Sequence, residues 1–212
     1  MGTSTRWTVG VLAVLTALTV ALALEFVEGP TQPNGPAEQV SRTHREADSP
    51  EALAGPRRQA DLPPCPADGT GDGPAALRGV VVECAADGAQ VDVARMLAGR
   101  AVVLNLWAYW CGPCADELPA LQQYQRQAGD AVSVVTVHQD ENETAALLKL
   151  AELGVSLPTL QDGRRSIAAA LNLPNVMPAT VVVRPDGSLA RVLPQPFTSA
   201  DEISAAVDSA LR

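Results

Sequence analysis

Cysteine is the residue type in this sequence most able to do covalent chemistry, and two of its four cysteines stand within Trp110-Cys111-Gly112-Pro113-Cys114. Two sulfurs at that spacing, held on one helical turn, can close a disulfide and reopen it, with one sulfur facing outward and one inward. The segment follows the apolar run Ala101-Val102-Val103-Leu104-Asn105-Leu106-Trp107 and precedes Leu118, Leu121 and Tyr124 at helical spacing. A thiol at the first turn of a helix meets unsatisfied backbone N–H groups and the positive end of the helix dipole, and both favour thiolate over thiol. Cys111 is therefore expected to attack, and Cys114, one turn on and shielded, to resolve the mixed disulfide. Gly112 and Pro113 stiffen the turn, and a proline at the helix start gives up no N–H that the helix needs. The competing use of such a pair is a zinc half-site. A structural zinc normally takes four ligands, and Cys65 and Cys84 do not supply a second closely spaced pair.

Cys65 and Cys84 flank a loop rich in proline, glycine and aspartate and are read as a structural disulfide, with two free thiols or a second redox pair as alternatives. Closing a loop of roughly 19 residues stabilises a fold by about 3 kcal/mol in the chain-entropy model. His44 and His138, the two histidines, have no ligand-like neighbours and are assigned to solvated loop or strand-end positions.

The elements that must position these groups alternate between strand and helix. Gly79 to Glu83 and Gln90 to Val93 form a short hairpin around Asp87-Gly88, and Ala101 to Trp107 is a strand buried on both faces. Gly112 to Ala128 is a helix containing Pro119, and Ala131 to Val137 a second buried strand. Glu143 to Leu153 is an amphipathic helix ended by Gly154, with a shorter helix over Arg165 to Leu171. Ala179 to Val183 and Ser188 to Leu193 pair across Arg184-Pro185-Asp186-Gly187, and Ser199 with Glu202 opens a final helix to Leu211 as a capping box. An α/β sheet with helices on both faces follows.

The N-terminal part has a different character. Trp7 to Leu24 carries no charge, follows Arg6, and as a helix spans about 27 Å, close to the thickness of a bilayer core. Arg6 on one side and Glu25 and Glu28 on the other favour an amino terminus in the cytoplasm with the remainder exported. Cleavage after a signal segment is the alternative, because Ala21-Leu22-Ala23 resembles a small-x-small site. Residues 1–27 are thus assigned to an anchor or signal segment, 28–64 to a flexible linker rich in proline and glycine, and 65–212 to the folded domain. Export makes disulfides admissible. The formal net charge of -9 and the scattered arginines, with Lys149 the single lysine, exclude nucleic acid as a partner.

A strand, then WCGPC at a helix start, then Pro119, then Met177-Pro178-Ala179-Thr180 before a terminal hairpin is the order found in thioredoxin-like proteins. With its apolar N-terminal segment and tether, the chain resembles the membrane-anchored TlpA/ResA-type thiol-disulfide oxidoreductases over residues 74–212. The resemblance implies a central mixed sheet with helices on both faces, an N-terminal hairpin extension and a transmembrane helix. It implies a cis peptide bond at Pro178 facing Cys111, with the backbone of Met177 open to an incoming peptide and Trp110 as a rim aromatic beside the disulfide. Trp107 is assigned to the core and Tyr109 to the surface beside the pair.

Asn105 departs from thioredoxin itself, which has a buried aspartate two residues before the corresponding tryptophan. Glu83, flanked by Val82 and Cys84, is the candidate acid or base in its place, an exposed strand-edge position being the alternative. The resemblance further implies an extracytoplasmic, monomeric enzyme with no cofactor. Its substrates would be protein thiols or disulfides such as apocytochrome c, and a CcdA-type membrane protein would donate electrons. The direction of electron flow stays open. A copper-handling module using Cys111, Cys114 and Met177 is the alternative function.

Overall fold

In a computed structural model, residues 48–212 are described. The apolar run Trp7 to Leu24, the linker as far as residue 47, and His44 lie outside the described residues. Among the described residues no helix is long and apolar enough to cross a membrane.

Seven strands form one mixed sheet: β1 (Val81–Cys84), β2 (Gln90–Asp92), β3 (Val102–Trp107), β4 (Ser133–His138), β5 (Thr159–Gln161), β6 (Ala179–Val183) and β7 (Leu189–Leu193), in the spatial order β2-β1-β5-β4-β3-β6-β7. β3, β4 and β5 run parallel to one another, and every other neighbouring pair is antiparallel. Every residue of β3 is buried, as its near-continuous apolar run requires of a central strand.

Because side chains alternate along a strand, β3 feeds two cores. Val103 and Trp107 face a layer formed by α3 (Gly112–Ala128), α4 (Glu143–Leu153) and α6 (Ala200–Leu211). Val102, Leu104 and Leu106 face a thinner layer formed by α2 (Val93–Leu97), α5 (Ser166–Ala170) and a 3-10 turn at Ala75–Leu77. The expected mixed sheet with helices on both faces and an N-terminal hairpin extension is present. The short α2 and the three-residue β5 were not anticipated, being too brief to show a period in sequence.

Helix boundaries follow their caps. Asn142 accepts from the Ala145 N–H to start α4, and Gly154 ends it in the left-handed region at φ 63°. At α6, Ser199 accepts from the Glu202 N–H at 3.3 Å, and the Glu202 carboxylate turns back to the Thr198 N–H at 2.9 Å, with the Ser199 N–H also acting on it more weakly. The expected capping box is present, extended to Thr198.

The linker assignment needs correction over its second half. Pro50–Ala60 forms an eleven-residue helix, α1, with Ser49 accepting from the Ala52 N–H and Pro50 in the first turn. Leu53 and Ala60, seven residues and two turns apart, are buried against Leu147 of α4 and Ala85. Arg57 meets Glu143 at 2.9 Å with side chains only 15% and 4% exposed. Burial raises the Glu143 pKa despite the guanidinium beside it, so desolvation outweighs the pairing. A Cβ on Gly88 would come within 3.0 Å of the Arg57 guanidinium, and its φ of 80° independently favours glycine. The Ser-Pro start of α1 was present in the sequence. Its surroundings, rich in proline and charge, concealed it.

Candidate active site

Strand β3 ends at Trp107, and four residues later the chain enters α3 with Cys111 as N-cap. Cys111 and Cys114 are joined as a disulfide. The Cys111 sulfur also accepts from the Cys114 N–H at 3.3 Å, one of the donors that a helix start leaves without an intrahelical partner. Cys111 is 6% exposed and Cys114 fully buried, so an incoming thiol reaches the outer sulfur. Opening the bond would leave charge on a sulfur already facing a backbone donor and the positive end of a seventeen-residue helix.

Around the pair, Trp110 is 58% exposed, and its indole N–H donates to the Asp140 carboxylate at 3.0 Å, which fixes the ring at the rim. The Met177–Pro178 bond is cis. Met177 is part-buried against the core cluster that holds both sulfurs, and Pro178 is buried. Trp107 is fully buried with its ring centroid 5.0 Å from that of His138. Tyr109, part-buried, lies 6.0 Å from the same imidazole. His138 does sit at a strand end, but buried rather than solvated. Its Nδ1 is 2.8 Å from the Gln161 amide oxygen, and burial lowers its pKa.

Glu83 is not brought to the pair. It is exposed on β1, separated from β3 by β5 and β4, and accepts a hydrogen bond from Gln90 at 3.3 Å. Sequence reasoning missed the carboxylate that is there. Glu117 lies one turn beyond Cys114 on the same face of α3 and is wholly buried. Asn105 donates through Nδ2 to Glu117 Oε2 and to Thr180 Oγ1, both at 3.1 Å. Glu117 Oε1 has no partner of good hydrogen-bond geometry, the Phe197 N–H acting on the carboxyl only as a third, weaker influence. Burial raises the Glu117 pKa to about 7, partly offset by the Asn105 amide. The signal was in the spacing: Cys114, Glu117, Leu121 and Tyr124 form one helical stripe, so Glu117 occupies a core position.

Cys65 and Cys84 form a second disulfide, with Cα atoms 5.9 Å apart. It ties the segment before the hairpin to β1 at the other end of the sheet, and the Cys65 sulfur lies 3.5 Å from the Thr159 carbonyl oxygen.

Comparison with known proteins agrees with this geometry. The chain is 31% identical over 98 residues to the thiol-disulfide oxidoreductase ResA of Bacillus subtilis, a match covering 46% of this chain and 54% of that protein. The chain thus spans about half the length of the curated relatives it matches. Among solved structures, MTB DsbF superposes with a TM-score of 0.57 at 26% identity, covering 65% of this chain and 98% of that one. A secreted Mycobacterium tuberculosis disulfide oxidoreductase homologous to E. coli DsbE gives 0.55 at 27%, covering 63% and 97%. The fold is therefore thioredoxin-like. The Redoxin family model matches residues 70–208, a span that takes in all seven strands, both cysteines of the α3 disulfide and Pro178, and the chain belongs to the Redoxin family.

Proposed function

We propose that the folded domain is a thiol-disulfide oxidoreductase acting on protein thiols and disulfides through Cys111 and Cys114. The observation that carries the reading is a disulfide at a helix N-terminus with only its outer sulfur accessible. In the reducing direction the Cys111 thiolate attacks a substrate disulfide, forming a mixed disulfide and releasing one substrate thiolate. Cys114 then gives its proton to Glu117, and its sulfur attacks Cys111. The second substrate thiolate leaves, and the Cys111–Cys114 bond closes. Two electrons pass from the dithiol to the substrate, and a dithiol donor must restore them. The oxidising direction is the same sequence reversed.

A carboxyl with a pKa of about 7 suits this transfer, since it can hold or release a proton at neutral pH. Trp110, Met177 and Pro178 would line the approach to Cys111. Cys65 and Cys84 would serve as a structural clamp. No cofactor enters the scheme.

The finer reading is a membrane-tethered enzyme with its domain outside the cytoplasm, anchored by the apolar segment Trp7 to Leu24. The description of one structural neighbour as secreted supports the extracytoplasmic part. Apocytochrome c as substrate, a role in cytochrome c maturation, a CcdA-type electron donor and a monomeric state rest on resemblance to the ResA-type enzymes. No observation favours the copper-handling alternative.

The test is insulin reduction by the dithiol form, with the reduction potential of the pair measured in parallel. Turnover that disappears in Cys111→Ser, and a trapped mixed disulfide in Cys114→Ser, are expected. A dithiol that reduces no protein disulfide and forms no mixed disulfide overturns the reading. A potential near about -270 mV marks a reductant, and one near about -120 mV an oxidant.

A further inference from the structure

We infer that Arg165 is a positioning residue that sets the separation of the loops between which a protein substrate must lie, an inference resting on the exchange activity proposed above. Arg165 precedes α5 and adopts the left-handed conformation, φ 57° and ψ 33°, where a residue with a Cβ is strained. It offers that helix no side-chain cap, a task performed by the Asp162 carboxylate, which accepts from the Ser166 and Ile167 N–H groups at 2.8 Å each. Local structure therefore gives no reason for arginine here, and glycine or asparagine would fit the backbone with less strain.

The arginine side chain reaches elsewhere. Its Nη1 donates to Asn175 Oδ1 at 2.7 Å, and its Nε makes a longer contact of 3.4 Å with Gln139 Oε1. Asn175 lies two residues before Met177, on the loop that carries Pro178. Gln139 is buried and adjoins Asp140, whose carboxylate holds Trp110 and whose carbonyl accepts from Gln161 at 2.7 Å. The guanidinium thus joins the loop after β4 to the loop before β6. Through Asp140 it reaches Trp110 on the loop after β3. These three loops all leave the end of the sheet from which β3 leads to Cys111. A strained backbone retained for a side chain that spans two loops points to a role in shaping the cleft.

The consequence is selective. A bulky polypeptide needs the rim at a fixed width, whereas a small disulfide reaches the sulfur of Cys111 without touching it. Arg165→Gly suits the left-handed backbone and removes the clamp, and Asn175→Ala removes the exposed acceptor. Insulin and the small aromatic disulfide DTNB are the two substrates, with Arg164→Ala as an exposed control expected to match the parent. Each single variant is expected to raise KM for insulin about three- to tenfold, the size of one ordinary net hydrogen bond lost at a solvent-accessible position, with kcat little changed. The double variant should add nothing beyond either single change. The DTNB rate and the reduction potential should stay at parent values.

Insulin kinetics unchanged in both variants would overturn the inference. So would equal losses with insulin and DTNB, or a moved potential, because the arginine would then act on the disulfide itself. A parent protein without insulin turnover would instead sink the activity on which the inference rests.

Discussion

Glu117→Gln keeps the shape of the side chain and an oxygen for the Asn105 amide to donate to, while removing the group that titrates. The displacement of the Glu117 pKa from 4.5 to about 7 corresponds to about 3 kcal/mol at 1.36 kcal/mol per unit. The sign follows from proton counting. Below 4.5 the carboxyl is protonated in both folded and unfolded chains, and burial costs little. Between 4.5 and about 7 the folded chain keeps a proton that the unfolded chain has released, so stability falls as pH rises. Above that window the full penalty applies.

The glutamine variant escapes this loss. Its stability relative to the parent should therefore improve by about 3 kcal/mol between about pH 4 and about pH 8.5. Urea unfolding of the disulfide form at the two pH values measures the difference directly. The same variant should exchange disulfides more slowly at neutral pH, by about a hundredfold in the resolving step, because an amide cannot take the Cys114 proton. A protein that becomes more stable and less active together is the expected outcome. A stability difference independent of pH would refute the reasoning, since the carboxyl would then bear no burial penalty.

Three further outcomes are expected. Replacing both Cys65 and Cys84 by serine should cost about 3 kcal/mol in urea unfolding, while the potential of the Cys111–Cys114 pair stays unchanged. Leu53→Ala should cost about 2 kcal/mol and reduce amide exchange protection in α4, against which α1 packs; unchanged protection there would mean that α1 contributes nothing to α4. His138 should protonate at lower pH in the folded protein than in the unfolded chain, visible as an imidazole C2 proton resonance that moves at lower pH than that of the unfolded chain. Because the unfolded chain takes up that proton first, this residue makes stability fall as pH drops below about 6.5.

Much of the architecture was legible because the signals were local. The apolar run of β3, the Gly154 stop of α4 and the hairpin at Pro185-Asp186-Gly187 each declare themselves within a few residues. The cysteine pair was legible for the same reason. The acid was not, because Glu83 is apolar-flanked along its own strand, whereas the relevant environment is made by β3, β6 and α3 packing together. Asn105 reads as a polar intruder in an apolar strand until Glu117 and Thr180 stand beside it. The α1 helix was hidden in a similar way, since its burial depends on α4 and Ala85, which the sequence of the linker does not contain.

The second disulfide also governs how the domain bears force. A pull on the chain ahead of Cys65 arrives first at α1, gripped by Leu53, Ala60 and the Arg57–Glu143 pair, and next at a covalent bond into β1. The loop between Cys65 and β1 is bypassed, and the load ends on a strand with β5 and β4 between it and β3. Traction on the N-terminal side can therefore stretch or reorient the domain without prying at the sulfur pair.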